Sequence, residues 1–335
     1  MIFENIIPKQ PVKVPLLHEA KAHIDFYEQR YRKGYMNYWP DERQKRIYAI
    51  VRSLDLPEKG EALDFGCGNG IFTEVLRRAL PASWLVYGVD ISATAIQNAG
   101  SRYPQCRFFE PGDEPPEVKK FDFIFTHHVL EHVNDLTLVL HQIDAYAKPD
   151  ACLLHILPCG NPDSFESDIS CMRRNGIDPR RGNRFFFEDE GHIRRLTSVE
   201  LASLLRKHGF SLEEECYSGQ YYGAINWITE AGPSFVYHFS DPHFAVNLKS
   251  RQRLRQWLVV LLAIALLRRP AILTEKLWRE TPNHPYLFLK LTILCFLFPF
   301  SKLFDSALKW LAQDEWRCKK THKNGSEMYL FLRRI

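Results

Sequence analysis

The eight cysteines include no C-x-x-C pair: Cys67, Cys106, Cys152, Cys159, Cys171, Cys216, Cys295 and Cys318 are scattered. That spacing excludes the usual zinc ribbons and redox dithiols and predicts reduced thiols with no metal site. There is no internal repeat and no low-complexity tract. Disorder, collagen and a disulfide-rich mini-protein are excluded by 45% apolar and 25% charged residues. The first ten residues carry Glu4, Pro8 and Lys9 and no apolar h-region, so no secretory signal is predicted and the cytoplasm is the expected compartment. No apolar run reaches the about 20 residues that a spanning helix needs.

What is present begins with a charge asymmetry. The net charge is only +4 over 335 residues. Residues 1–244 nevertheless carry 27 Lys and Arg against 34 Asp and Glu, a net −7, and residues 245–335 carry 17 against 6, a net +11. A basic segment of that size points to an acidic partner, an anionic membrane or nucleic acid.

Residues 1–40 are rich in Pro, Tyr and charge and predict an N-terminal arm ending in a short helix. Residues 41–55, with Ile47, Ile50, Val51 and Leu54, have helical spacing. Strands and helices then alternate. Strands are predicted at Glu61–Phe65, Trp84–Asp90, Arg107–Glu110, Phe121–Phe125 and Ala151–Leu157, with helices at Ile71–Leu80, Ala93–Tyr103 and Val139–Ala147 between them. This order implies a parallel sheet covered on both faces, open to ligand at the strands' carboxyl ends. Residues 158–196 read as a long binding lid. Ser198 is the expected cap of a helix running to Lys207, stopped at Gly209, and Ser211–Tyr217 is a sixth strand. The chain closes on a strand at Glu327–Leu332.

The most informative stretch is Ala62-Leu-Asp-Phe-Gly-Cys-Gly-Asn-Gly-Ile71. A strand enters a glycine turn and a helix leaves it. Glycines admit a ligand close to the backbone, and the helix start offers unpaired N–H groups. The spacing is G-x-G-x-G; a dinucleotide fingerprint would need glycine at Ile71. Asp64, just inside the strand, would repel a pyrophosphate and suit a cationic ligand.

Here the sequence resembles the class I S-adenosylmethionine-dependent methyltransferases. Val89-Asp90-Ile91-Ser92 ends the second strand, Gly112-Asp113 follows the third, and Phe121 to Thr126 leads through His127-His128 into Val129-Leu-Glu-His132. Leu196 to Phe210 looks like the family's late helix, with His192 before it. The resemblance covers residues 40–217 and the terminal strand. It implies a doubly wound, Rossmann-like, seven-stranded α/β sheet and S-adenosyl-L-methionine as cofactor. The domains are then an arm (1–40), a methyltransferase domain (41–217, completed by 326–335) and a helical, apolar, basic insertion (218–325). That insertion is the departure from the family, where the last two strands form a tight hairpin.

The resemblance implies that Gly66, Cys67, Gly68 and Gly70 cradle the methionyl end, with Asp64 near its ammonium. Asp90 and Ile91 fall at the ribose, Asp113 near the adenine, and Thr126 beside the cofactor. His127 and His128 follow a strand's carboxyl end, where a histidine can accept a proton. His192 is a third catalytic candidate. Arg181 and Arg194, in the Arg-rich lid, are candidates for holding an anionic substrate group.

The insertion holds Trp257–Leu267, an unbroken run of 11 apolar residues. Arg251, Arg253 and Arg255 precede it and Arg268-Arg269-Pro270 is expected to end it. A second run, Tyr286–Phe300, is broken only by Lys290, Thr292 and Pro299. The pattern fits an interfacial segment on the inner membrane face, with buried helices as the alternative. Nucleic acid ranks lower as a partner, because the basic residues do not interleave with exposed aromatics. The expected function is methyl transfer to an oxygen of a small-molecule, glycan or lipid-linked acceptor. A protein or RNA methyltransferase and a non-catalytic nucleotide-binding module are the alternatives; the first lacks an N-P-P-Y-type motif after the fourth strand.

Overall fold

The computed structural model describes residues 17–115, 120–280 and 287–335, with side chains described except at 17–20, 278–280 and 287–296. In chain order the elements begin α1 (Leu17–Arg32), α2 (Asp41–Ser53), β1 (Glu61–Phe65), α3 (Ile71–Ala79), β2 (Leu85–Val89), α4 (Ala93–Arg102) and β3 (Arg107–Phe109). Next come β4 (Phe121–His127), α5 (Leu136–Tyr146), β5 (Ala147–Pro158), α6 (Phe165–Cys171), β6 (Ile177–Asp178), β7 (Arg184–Phe185), α7 (Ser198–Arg206) and β8 (Phe210–Ser218). The insertion supplies α8 (Tyr222–Ala231), α9 (Pro233–Phe239), α10 (Leu248–Glu280) and α11 (Leu287–Lys319), and β9 (Glu327–Arg334) ends the chain. The main sheet has seven strands in the order β3-β2-β1-β4-β5-β9-β8.

The chain divides into two compact units. The first comprises Met1–Lys59 and Gly66–Val118. Here α1 runs 16 residues, longer than the short helix expected. Its Tyr27 and Tyr31 are buried with Ala95, and Tyr35, Met36 and Ile91 pack against them. Burying this aromatic stripe fixes α1 where propensity alone would leave it marginal.

The second unit comprises Gly60–Phe65 and Lys119–Ile335. β1, β4 and β5 pair in parallel, β5 pairs antiparallel with β9, and β9 antiparallel with β8. Leu63, Phe123, Ile124, Phe125, Leu153 and Leu154 are fully or almost fully buried, as expected of central strands covered on both faces. The sixth and last predicted strands thus meet edge to edge, with α8 to α11 interposed in sequence.

Residues 158–196 are more than a lid loop. They fold into α6 and the β6–β7 hairpin around buried ion pairs: Arg195 reaches Glu166 at 2.8 Å and Glu188 at 2.6 Å. The cap of α7 is Thr197, one residue before the expected Ser198. Its hydroxyl accepts the Glu200 N–H while the Glu200 carboxylate accepts the Thr197 N–H, a capping box. Thr197→Ala is expected to lower stability by about 1 kcal/mol, read as a shift in the urea midpoint at unchanged slope.

The insertion packs on α6 in a shared core, with Phe165 of α6 buried among Ile225, Ile228, Phe239, Leu254 and Leu261. α10 does not stop at Pro270 as expected; it continues to Glu280. Arg268 explains this. It is buried and bonded to Asp305 at 2.7 Å and to the Asn226 carbonyl at 2.9 Å, while the Ala271 N–H donates to Ser301 Oγ at 2.9 Å. These bonds tie α10 to α8 and α11 across the proline, offsetting the lost backbone bond. By length and composition, Leu248–Leu277 is long and apolar enough to cross a membrane, although neither run was expected to reach that length. Much of the second apolar run, with Lys290 and Thr292, lies outside the described side chains.

Candidate active site

In the first unit, Gly66, Gly68 and Gly70 all adopt left-handed backbone, at φ 78°, 51° and 77°. The N–H groups of Gly66 and Cys67 donate to the Val89 carbonyl at 2.8 and 3.0 Å, which locks the loop against β2. A Cβ at Gly70 would lie 2.9 Å from both Ala99 Cβ and Phe108 Cζ, and one at Gly68 would lie 2.8 Å from Tyr31 Oη. Gly70 is the N-cap of α3 and offers no side chain to cap its first amides, the arrangement that leaves N–H groups for a ligand.

Asp90 closes this corner. Its carboxylate accepts the Gly68 N–H at 2.8 Å and the Ser92 N–H at 3.0 Å. Burial pushes its pKa up to about 6, against the pull of those backbone donors. The Ser92 hydroxyl donates to Glu28 at 2.6 Å, and this bond, with a second from Thr94, holds the Glu28 carboxyl at about 2. Glu28 and Tyr31 escaped sequence reasoning because they lie on α1, some sixty and forty residues from their partners, with no local motif. Ile91 packs on the tyrosines of α1, Cys67 is buried, and Asp113 stands exposed on the turn after β3.

In the second unit, Asp64 is buried on β1 beside Phe125 in the β1–β4 register. Thr126 departs from expectation: its buried hydroxyl is 2.7 Å from His155 Nδ1 within the sheet, so it is taken up by a neighbouring strand. Arg194 departs too. Its guanidinium donates to the carbonyls of Leu130 at 3.1 Å, Val133, and Asn134 at 2.9 Å. It caps the turn after β4, which removes it as a substrate clamp. Arg181 is exposed on the turn before β7.

His127, His128 and His192 do come together, with ring centroids 4.5 Å apart for the first pair and 6.5 Å for His128–His192. His128 has a left-handed backbone, φ 55°, a strained conformation that marks functional sites. Its Nδ1 lies 3.0 Å from Glu131 and its Nε2 2.9 Å from Glu327. His128 thus stands between two glutamates, one on each side of its ring. His132 is stacked edge-on to His192 at 4.5 Å, and burial lowers its pKa to about 4. Glu131, Glu188 and Glu327 were missed as site residues. Glu131 alone had a signal, its place in the V-L-E-H segment.

A family described as a methyltransferase domain matches residues 31–215. The chain belongs to that family. The methyl donor of these class I enzymes is S-adenosyl-L-methionine, and the first unit of this methyltransferase fits it. The glycine cradle has no room for side chains, and the buried Asp90 carboxylate suits hydroxyl donors. Trans-aconitate 2-methyltransferase of Variovorax paradoxus is 29% identical over 127 residues, 36% of this chain and 47% of the relative. The 2-phytyl-1,4-naphtoquinone methyltransferase of Trichormus variabilis is 31% identical over 126 residues, 35% and 55%. The chain thus spans about half the length of these curated relatives. Among solved structures, the Burkholderia thailandensis 1,6-didemethyltoxoflavin-N1-methyltransferase with bound S-adenosylhomocysteine is 20% identical. That match covers 62% of this chain and 84% of that one, with a TM-score of 0.43.

Proposed function

We propose that this methyltransferase transfers the methyl group of S-adenosyl-L-methionine to an oxygen of a small-molecule, glycan or lipid-linked acceptor at an anionic membrane surface. The donor, when bound, supplies an activated sulfonium methyl. The chain has to hold it, exclude water and take a proton from the acceptor. Gly66, Gly68 and Gly70 would hold the methionyl part, and Asp90 would accept the ribose hydroxyls, with Asp113 near the adenine. The imidazoles of His127, His128 and His192 gather beyond the carboxyl end of β4, where a ring nitrogen would take the acceptor's proton.

One observation carries the membrane reading. The insertion helices expose apolar stripes at helical spacing: Val259, Val260, Leu266 and Leu267 on α10, and Phe300, Leu303, Phe304 and Trp310 on α11. The opposite side of α10 is core, through Leu254, Leu261 and Ala265. Exposed Arg251, Arg253 and Arg255 stand at the start of α10, where they suit anionic headgroups. The similarity to a phytyl-naphthoquinone methyltransferase supports an acceptor with an apolar chain.

In vesicle flotation at low salt, binding to phosphatidylglycerol-containing vesicles is expected, with little to pure phosphatidylcholine. Changing the three arginines to glutamine is expected to lower partitioning by about 100-fold, at about 1 kcal/mol per basic residue. Incubation with methyl-labelled donor and lipid extract should then place label in the lipid fraction. Absence of vesicle binding, together with label only in water-soluble products, would rule out the membrane acceptor and leave methyl transfer standing.

A further inference from the structure

We infer that the second unit binds a divalent transition-metal ion of the Zn²⁺ type through His128, Glu131 and His192. The ligand-capable atoms of these three residues all lie within 4.8 Å of one another. Glu131 is 1% exposed, and neither of its carboxylate oxygens accepts a hydrogen bond from any described residue. Its nearest possible cations are imidazoles, His128 Nδ1 at 3.0 Å and His132 Nε2 at 4.0 Å from Oε1. A buried carboxylate in that state is costly unless a cation meets it. Charge balance favours a cation from outside the chain. Among the described residues, Arg195 is committed to Glu166 and Glu188 and Arg194 donates to the Leu130 and Asn134 carbonyls, while Glu131 and Glu327 face His128.

The surroundings match those of metal sites. His128 Nε2 contacts Glu327 Oε1 at 2.9 Å, and the other Glu327 oxygen accepts the hydroxyls of Ser218, at 3.1 Å, and Tyr329. A carboxylate gripping one imidazole nitrogen fixes the tautomer and turns the other nitrogen, here Nδ1, to the metal. Glu188 Oε1 lies 3.7 Å from His192 Nδ1 and stands behind that ring. Two imidazoles and a carboxylate select zinc and similar first-row ions; magnesium and calcium prefer all-oxygen shells. In a tetrahedral shell with bonds of about 2.1 Å the ligand atoms lie about 3.4 Å apart, so a pair at the 4.8 Å limit has to close by more than about 1 Å. The absence of cysteine pairs, which suggested no metal site, does not bear on a histidine–carboxylate set.

Such an ion leaves a coordination position open, where an acceptor oxygen binds and loses its proton. This role rests on the methyl-transfer reading; the binding does not. The test titrates the chelator-treated full chain with Co²⁺, read by its visible d–d absorption, and with Zn²⁺ in competition. One equivalent is expected, with affinity at least about 10-fold weaker in Glu131→Gln and His192→Ala. Binding of S-adenosylhomocysteine at the glycine loop is expected to be unchanged in both variants, which reports an intact fold. No saturable Co²⁺ uptake, or uptake unaltered in both variants, overturns the site. If Glu131→Gln does not fold, His192→Ala decides alone. Loss of homocysteine-adduct binding in the wild type would instead count against the methyl-transfer reading and leave the metal site intact.

Discussion

Asp90→Ala is expected to weaken S-adenosylhomocysteine binding by about 100-fold, the value of two hydroxyl hydrogen bonds to a carboxylate. The variant also removes the acceptor for the Gly68 N–H at 2.8 Å, so the loop loses its brace at the point where the cofactor would lie. Asp90→Asn keeps an acceptor and the shape and should recover part of the loss. The same carboxyl predicts a pH dependence. Burial raises it to about 6, so it is protonated below that pH and a poorer acceptor for ribose hydroxyls. Affinity for the cofactor product is therefore expected to rise between pH 5 and 7 and then level off. Asp90→Asn should flatten this rise, as measured by calorimetry at fixed ionic strength.

Arg195→Met is expected to cost about 3–5 kcal/mol of stability, the largest single effect on the fold, because it strands two buried carboxylates. Arg195 is buried and donates to Glu166, Glu188, the Cys159 carbonyl and the Ser326 carbonyl. It therefore joins α6, the β6–β7 segment and the start of β9. Burial raises the Glu166 carboxyl, whereas Arg195 and His192 hold Glu188 below its ordinary value despite burial. Glu188→Gln in the Arg195→Met background should restore part of the loss by removing one orphaned charge. Arg195→Lys should not match wild type, since one ammonium cannot reproduce the fork. Urea denaturation followed by circular dichroism reads all three.

The sheet was legible because most of its strands are short, apolar and punctuated by turn residues. Glu61–Phe65 was placed to the residue, and the left-handed loop was evident from three glycines at alternate positions. The pairing of β8 with β9 was legible only through the family resemblance, because over a hundred residues intervene. The insertion was half legible. Apolar runs showed that something had to be buried or to meet lipid, but not that one α10 face does the first and the other is left exposed. Pro270 misled, since a local breaker rule ignores the buried Arg268–Asp305 pair that carries the helix past it. The histidine cluster was legible as residues and not as a network. Glu327 sits 199 residues from His128, and no local pattern joins them. Arg194 and Thr126 were misread because residue type tells what a side chain offers and not which neighbour takes it first.

The most direct test of the account is calorimetric titration of the full-length wild-type chain with S-adenosylhomocysteine and, separately, with NAD⁺. The account predicts saturable, one-site binding of the first and no binding of the second. Binding of NAD⁺ with equal or greater affinity, or no heat with S-adenosylhomocysteine, would contradict it.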